Sequence, residues 1–208
     1  MIINELLCRA IQSTNTKDFL GVYMAATLEE PKYELVSTHE NFEIRLYEEV
    51  IQARVSRKIV ERLTPTNNFR IIAAYIFGNN KSNEKISMTA PVEMWNNNLT
   101  MNMAFTMPSK YAITELPEPN DSLVEIVKVP ERLIAVMRFS GFYSSKKVNK
   151  LAQRLKKLLI KENLQPHENH ILAVYDPPTK LPFFRRNEIL IPIKDITYSE
   201  AIESEDVL

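Results

Sequence analysis

The sequence predicts an α+β domain, a duplicated antiparallel sheet or barrel with two helices packed outside it, and three observations carry that expectation. Ile86, Met88, Ala90, Val92 and Met94 alternate with Ser87, Thr89, Pro91 and Glu93. After the polar turn Asn96-Asn97-Asn98, Met101, Met103, Phe105 and Met107 alternate with Asn102, Ala104 and Thr106, stopping at Pro108. Strict period two on both sides of a polar turn is a hairpin. Second, FEIRLYEEVIQARV (Phe42 to Val55) aligns without gaps with VEIVKVPERLIAVM (Val124 to Met137), matching Glu43 with Glu125, Ile44 with Ile126, Glu49 with Glu131 and Ala53 with Ala135. Third, each copy is a strand pair followed by a helix and a second strand pair. The helices are Asn67 to Phe77 and Ser145 to Asn163, and the second pairs are Ile86 to Met107 and His170 to Ile193. Two halves too small to bury a sheet face alone close most cheaply into one pseudo-twofold assembly.

Residues 1–30 read as an extension before the domain, which spans 31–195 and is followed by an acidic tail over 196–208. Ile2, Ile3, Leu6, Leu7, Ala10 and Ile11 predict one short amphipathic helix, a packing or dimer element. LGVYMAA (Leu20 to Ala26) resembles a stunted export signal, but Glu5 precedes Arg9 and polar residues fill Ser13 to Asp18, whereas a leader needs a basic start and then about 7–15 apolar residues. No run approaches the roughly 18 apolar residues of a membrane span. A cytoplasmic protein is expected, with a periplasmic one as the alternative.

The first helix has capping residues and Pro65 at its front and Gly78 behind it. Phe69, Ile72, Ala73 and Ile76 form one stripe, but Ile71, Ala74, Tyr75 and Phe77 make the rest nearly as apolar. A helix covering one face of a sheet does not need that. Its second face is therefore expected to meet another element, a partner or a ligand. In the hairpin, Pro91 lacks the donor a ladder requires, so its strand is expected at an edge or with a bulge. The second helix has a conventional stripe of Val148, Leu151, Ala152, Leu155, Leu158 and Leu159, opposite a basic face of Lys146, Lys147, Lys150, Arg154, Lys156, Lys157 and Lys161. That face reads as a solvated surface or as one that meets an anion or a partner.

Composition narrows the function classes. Lys plus Arg and Asp plus Glu balance at 26 each, so no global field draws the chain to nucleic acid or an anionic membrane. The single Cys8 excludes an internal disulfide and a cysteine-based metal cluster. With 45% hydrophobic residues the core needs no staple, and with three glycines there is no phosphate-cradling loop. No nucleophile with its base, and no paired carboxylates, can be placed together, so a binding protein is expected before an enzyme. Of the histidines, His167 and His170 are three apart beside Glu168, in a connection rather than on a helix face, which is a weak zinc pattern. The methionines fill irregular core gaps, line an adaptable pocket or offer a thioether to iron.

KISMTAPV (85–92), FTMPSKY (105–111), PNDSLVEIVKVPERLIAVMRFSG (119–141) and YDPPTKLPFFRRNEILIPI (175–193), in this order, resemble the SOUL heme-binding family over Tyr33 to Ile193. The resemblance implies a distorted β-barrel of duplicated βαββ-like units flanked by two helices. It further implies a bound heme or other tetrapyrrole, held weakly enough to be lost on purification, in an open hydrophobic cleft beside the first helix. Carried onto this chain, the implied contacts are Phe69, Ile72, Ala73 and Ile76, with Arg70 and Lys81 facing carboxylates and Arg186 a weaker candidate. Two positions depart from the family pattern. Leu46 stands where some members carry a proposed iron-ligating histidine, and Ala74 where some carry a basic residue. Affinity would then come from burying the macrocycle, with His39, His170 or a methionine as axial candidates, and iron-free porphyrins would also be admitted. A duplicated barrel of this type is also similar to the GyrI-like effector-binding fold. There a cleft carboxylate selects cations, and Glu93 and Glu125 are the candidates. A homodimer or protein partner through the N-terminal or basic helix completes the expectations.

Overall fold

A computed structural model describes residues 28–59, 65–97 and 99–194. The expected N-terminal helix and acidic tail lie outside them. In chain order the elements are β1 (Tyr33–Thr38), β2 (Glu43–Tyr47), β3 (Val50–Lys58), α1 (Pro65–Ile76), β4 (Val92–Asn96), β5 (Thr100–Thr106), β6 (Val124–Val129), β7 (Arg132–Phe139), α2 (Ser145–Lys161), β8 (Ile171–Val174) and β9 (Asn187–Pro192). The strands form one antiparallel sheet ordered β1-β2-β7-β9-β8-β4-β5-β3-β6. It curls into a half-barrel with β1 and β6 as its edges, so the expected α+β barrel-like fold is found as an open curl.

The duplication is visible in the pairing. Exchanging β2, β3, β4 and β5 with β6, β7, β8 and β9 reproduces the strand order, with the β4–β8 pair at the centre. One detail differs from the sequence reading: β2 and β3 are consecutive but do not pair with each other. β2 pairs with β7 and β3 with β6, so each half lends its first strand to the other. Alternation fixes which face a side chain takes but not which strand lies beside it.

The hairpin is present, but its first strand begins at Val92, not Ile86. β4 lies between β5 and β8, so Pro91 is neither on an edge nor at a bulge. A residue without an N–H is excluded from a central strand, and the ladder starts just after it. Ile86, Met88 and Ala90 are nonetheless buried, in an extended segment outside the ladder.

Both helices cover one face of the sheet. α1 closes a cluster containing Ala53, Val55, Val92, Met103 and Phe105, and α2 closes one containing Ala135, Met137, Leu172, Ile189 and Ile191. α2 is capped by Ser144, whose hydroxyl accepts from Lys147 N, a cap worth about 1 kcal/mol. Of the apolar stripe predicted for it, Val148, Ala152, Leu155 and Leu159 are buried and Leu151 and Leu158 pack at the margin.

The apolar excess of α1 is consumed by the chain itself. Gly78, at φ 108°, turns the backbone as L side chains rarely can, and Asn80 then holds the following loop by donating to Tyr75 O (3.1 Å) and Glu84 O (2.7 Å). Ile86 N donates to Ile76 O at 2.8 Å, Lys81 N to Glu118 O at 2.9 Å, and the Tyr75 hydroxyl to Pro117 O at 2.9 Å. Ile71, Phe77, Tyr111 and Leu116 pack at the margin of this cluster. Of the three covers expected for the second face, another element, a partner or a ligand, the structure shows the first: two loops of the same chain.

The helix-free face holds a third cluster with Tyr47, Ile134, Val136, Ala173 and Leu190, and a buried polar row. The register aligns Glu93, Ala173 and Glu188 across β4, β8 and β9. Glu188 accepts from Tyr175 Oη (2.7 Å), from Arg186 Nε (3.1 Å) and from Arg45 Nη1 and Nη2 (3.2 and 3.4 Å). Glu93 accepts from Gln52 Nε2 at 3.1 Å and Arg132 Nη2 at 3.5 Å.

Candidate functional site

The six side chains selected from sequence do not line an open cleft. Phe69, Ile72, Ala73 and Ile76 are between 0 and 4% exposed and belong to the core under α1, with Phe69 set edge-on to Phe105 at 5.4 Å. Arg70 and Lys81 are exposed, and none of the six borders either of the two cavities described below. Arg186 is committed elsewhere: it holds Glu30 through two contacts (2.8 and 3.0 Å), donates to Glu188 and lies 3.7 Å over the Tyr175 ring.

A cavity of about 340 Å³ instead occupies the seam between the two helical clusters, where Met94 touches both. Such a volume lies within the range of small-molecule sites. One wall is the β4–β5 hairpin with Met94, Met101 and Met103, while the ring of Trp95, the neighbour of Met94 on β4, turns to the helix-free face beneath Arg54. The opposite wall is the start of α2 with Ser145, Val148 and Asn149 and the preceding Tyr143, and Leu172 of β8 enters with His170 just before that strand. Met94 pairs with Met103 on one side and Leu172 on the other, which is why these apolar side chains share a face. Asn68 of α1 donates to Met101 O at 3.1 Å and ties the hairpin wall to the first helix. Asn96, Ser145 and Asn149 are exposed, so the cavity opens to solvent along a polar rim.

Two polar groups are set into this apolar lining. The Tyr143 hydroxyl is buried with no hydrogen-bond partner among the described residues, and burial pushes its pKa up to about 12. The oxygen has no accessible surface, so the ring lines the cavity and a guest meets the hydroxyl only if its neighbours shift. Burial, reinforced by the nearby Lys156 ammonium, lowers the pKa of His170, so its imidazole is neutral and keeps a lone pair. This sets a pH dependence. An unfolded histidine titrates near 6.5, so below that pH the unfolded chain takes a proton that the native state resists, and stability falls on acidification. His170→Gln is expected to flatten the fall in melting temperature between about pH 6.5 and 5.

Neither sequence pattern for metal survives as a cluster. Among the described residues no three His, Cys, Asp or Glu side chains gather, so His167, His170 and Glu168 make no zinc site. His39 stacks on Phe42 at 4.2 Å, lies 3.2 Å from Ser37 Oγ, and borders neither cavity. The seam cavity is lined by one neutral imidazole, His170, and by the thioether residues Met94, Met101 and Met103, side-chain types that serve as heme-iron ligands. Nothing in the sequence signals that Tyr143 belongs with the methionines; it is far from them in the chain, and only the fold brings it to their seam.

The second cavity, about 620 Å³, lies beside the start of β3 and the segment after β5 and has a mixed-charge rim of Glu29, Glu30, Glu48 and Glu49 with Lys32 and Lys128, Lys128 being paired with Glu49 at 2.7 Å. Of the carboxylates considered for a cation effector, Glu125 is exposed on β6, and Glu93 is buried against Gln52 and Arg132.

No curated protein sequence is significantly similar to the chain. Several solved structures share its fold. A hydrolase from Listeria innocua is 12% identical, covering 76% of this chain and 94% of that one at a TM-score of 0.57. The C-terminal domain of EcmrR is 10% identical, covering 79% and 99% at 0.58. An uncharacterized conserved protein from Listeria innocua is 13% identical, covering 76% and 94% at 0.58. At such identities the likeness concerns the fold alone. The family model described as SOUL heme-binding protein matches residues 28–192, most of the chain and all of its sheet, and the protein belongs to the SOUL heme-binding family.

Proposed function

We propose that this protein binds a tetrapyrrole, heme or an iron-free porphyrin, in the seam cavity and buffers or carries it without transforming it. The observation that carries this reading is the lining. The Tyr143 ring supplies aromatic surface, Met94, Met101 and Met103 supply adaptable thioethers, and the neutral His170 is a polar group within it. When bound, heme would supply an iron centre, with His170 as the ligand this chain offers from the cavity wall. Burial of the macrocycle edge carries the affinity, so iron is not required for binding. The exposed mouth and the single thioether-flanked imidazole favour weak, exchangeable retention. Family membership supports this ligand class, and the lone Cys8 suits a reducing compartment such as the cytoplasm.

The test is a titration of hemin and protoporphyrin IX. Saturable Soret changes are expected for both in the wild type. Asn149→Trp, which fills the cavity from an exposed helix position, should weaken both by about tenfold or more. His170→Ala should weaken hemin selectively and change its Soret position. An absence of saturable change in the wild type, or identical binding by Asn149→Trp, removes the proposed site.

The effector-module reading rests on Glu93, buried on the helix-free face. Its carboxylate is already matched by Arg132 and Gln52, which leaves little uncompensated charge for an organic cation. Thermal stabilisation by organic cations but not by porphyrins would reverse the ranking.

A further inference from the structure

Beside the seam cavity the chain displays an apolar surface that its own packing does not use. Phe142, Leu181, Phe183 and Phe184 are each between 57 and 65% exposed. They come from two segments locked together: Gly141 N donates to Pro182 O at 2.8 Å, and Asn187 Nδ2 donates to Gly141 O at 3.2 Å. Arg185, itself buried, donates to Lys180 O at 2.7 Å and also to Pro178 O, and its guanidinium lies 5.0 Å from the Phe142 ring. Phe184 N closes the turn onto Leu181 O at 3.0 Å. The rings are thus held outward by a braced loop, and exposed aromatic side chains presented this way mark a contact surface.

The charge on the adjoining helix has one sign. Phe142 directly precedes the segment leading into α2, which contains no acidic residue. Lys146, Lys150, Arg154, Lys157 and Lys161 recur every three or four residues, on the helix face opposite the buried Val148, Ala152, Leu155 and Leu159. Lys147 folds back to donate to Phe142 O (3.0 Å) and Ser140 O (2.9 Å), and Asp176 is neutralised by Lys180 at 2.7 Å. The chain is neutral overall, so this basic face is a local feature set beside the aromatic loop.

We propose that the Phe142 and Leu181–Phe184 surface docks the protein peripherally onto an anionic membrane, with the rings entering the interfacial layer and the basic face of α2 lying over lipid headgroups. Protruding rings need a groove in a protein partner but none in a fluid interface, where aromatic side chains are favoured. A second copy meeting this surface through a twofold axis would bring two all-basic helix faces together, whereas anionic headgroups complement them. The inference is independent of the tetrapyrrole reading. Tyr143 and Ser145 join the two features in space, so docking would set the cavity mouth near the bilayer.

Cosedimentation of the full chain with phosphatidylcholine vesicles, with and without about one third phosphatidylserine, tests this without any porphyrin. The wild type should pellet with the anionic vesicles only, and less so as salt rises. Phe183→Ser with Phe184→Ser, and separately Lys146→Glu with Lys150→Glu, should each reduce partitioning by about tenfold or more while leaving the melting temperature unchanged. The proposal fails if the wild type does not pellet at low salt, or if the serine variant pellets as the wild type does. It fails equally if the wild type sediments as a dimer that the serine variant converts to a monomer, since the patch then belongs to a second copy.

Discussion

Arg45→Met is expected to lower stability by about 3–5 kcal/mol, the cost of leaving a buried charge without its partner. Glu188 is 0% exposed, and Arg45 meets both of its carboxylate oxygens, at 3.2 and 3.4 Å. The same guanidinium donates to Glu43 Oε2 at 2.7 Å and Tyr47 Oη at 3.1 Å, and it lies 4.4 Å over the Tyr33 ring. Burial by itself would loosen its proton; Glu188, Tyr47 and Glu43 outweigh burial and raise its pKa above the ordinary arginine value. Removing Arg45 leaves Glu188 with Arg186 and Tyr175, which moderates the loss toward the lower figure. For a domain of this size about 3 kcal/mol is a fall in melting temperature of roughly 6–12 °C. The effect should be non-additive, with Arg45→Met plus Glu188→Leu losing less than the two single changes together. A single variant melting within about 2 °C of the wild type would show that Glu188 does not depend on Arg45.

That interaction was invisible in the sequence, because its partners are 143 residues apart and β2 reaches β9 only through β7, a strand of the other half. What the sequence exposed was whatever repeats locally. The α2 stripe, the β4–β5 alternation and the gapless match of Phe42–Val55 with Val124–Met137 each encode a face or a unit, and each is found. What it concealed was which units touch. The same alternation suits a strand paired within its half or exchanged with the other, and the exchange observed here sets the curl. Pro91 shows the converse case, where local chemistry was sound but misapplied. A residue without a donor does exclude itself from a central ladder, and it does so by ending the extended segment before β4 rather than by moving β4 to an edge. The seam cavity was partly legible, since His170 and the methionines stood out as donors. Tyr143 did not, because it lies in a connection, and only the packing of α2 beside β4 and β8 brings it to the methionines.

Ala73→Arg separates a packed helix from a cleft wall, and on the present structure it should abolish folding or cost about 4 kcal/mol or more. The stripe of α1 was open to two readings, because apolar side chains look alike whether a guest or the chain covers them. Here Ala73 is buried among Ile72, Ile76, Met103 and Phe105, with the loops held by Asn80 and Tyr75 closing the far side. An arginine at that position must displace those neighbours and bury a guanidinium with no assigned partner, combining overpacking with an uncompensated charge. Ile72→Ala, at a site with no exposure, should cost about 2–5 kcal/mol through the cavity it leaves. Lys81→Ala, whose side chain is exposed while its backbone N–H makes the contact with Glu118 O, should stay within about 0.5 kcal/mol. Urea unfolding followed by far-ultraviolet circular dichroism would rank the three. If Ala73→Arg instead unfolded with the wild-type midpoint, the helix face must open in solution. The apolar stripe of α1 would then return as a rival seat for the ligand, since an arginine can be accommodated there only if the loops after Gly78 and Pro108 can lift from it.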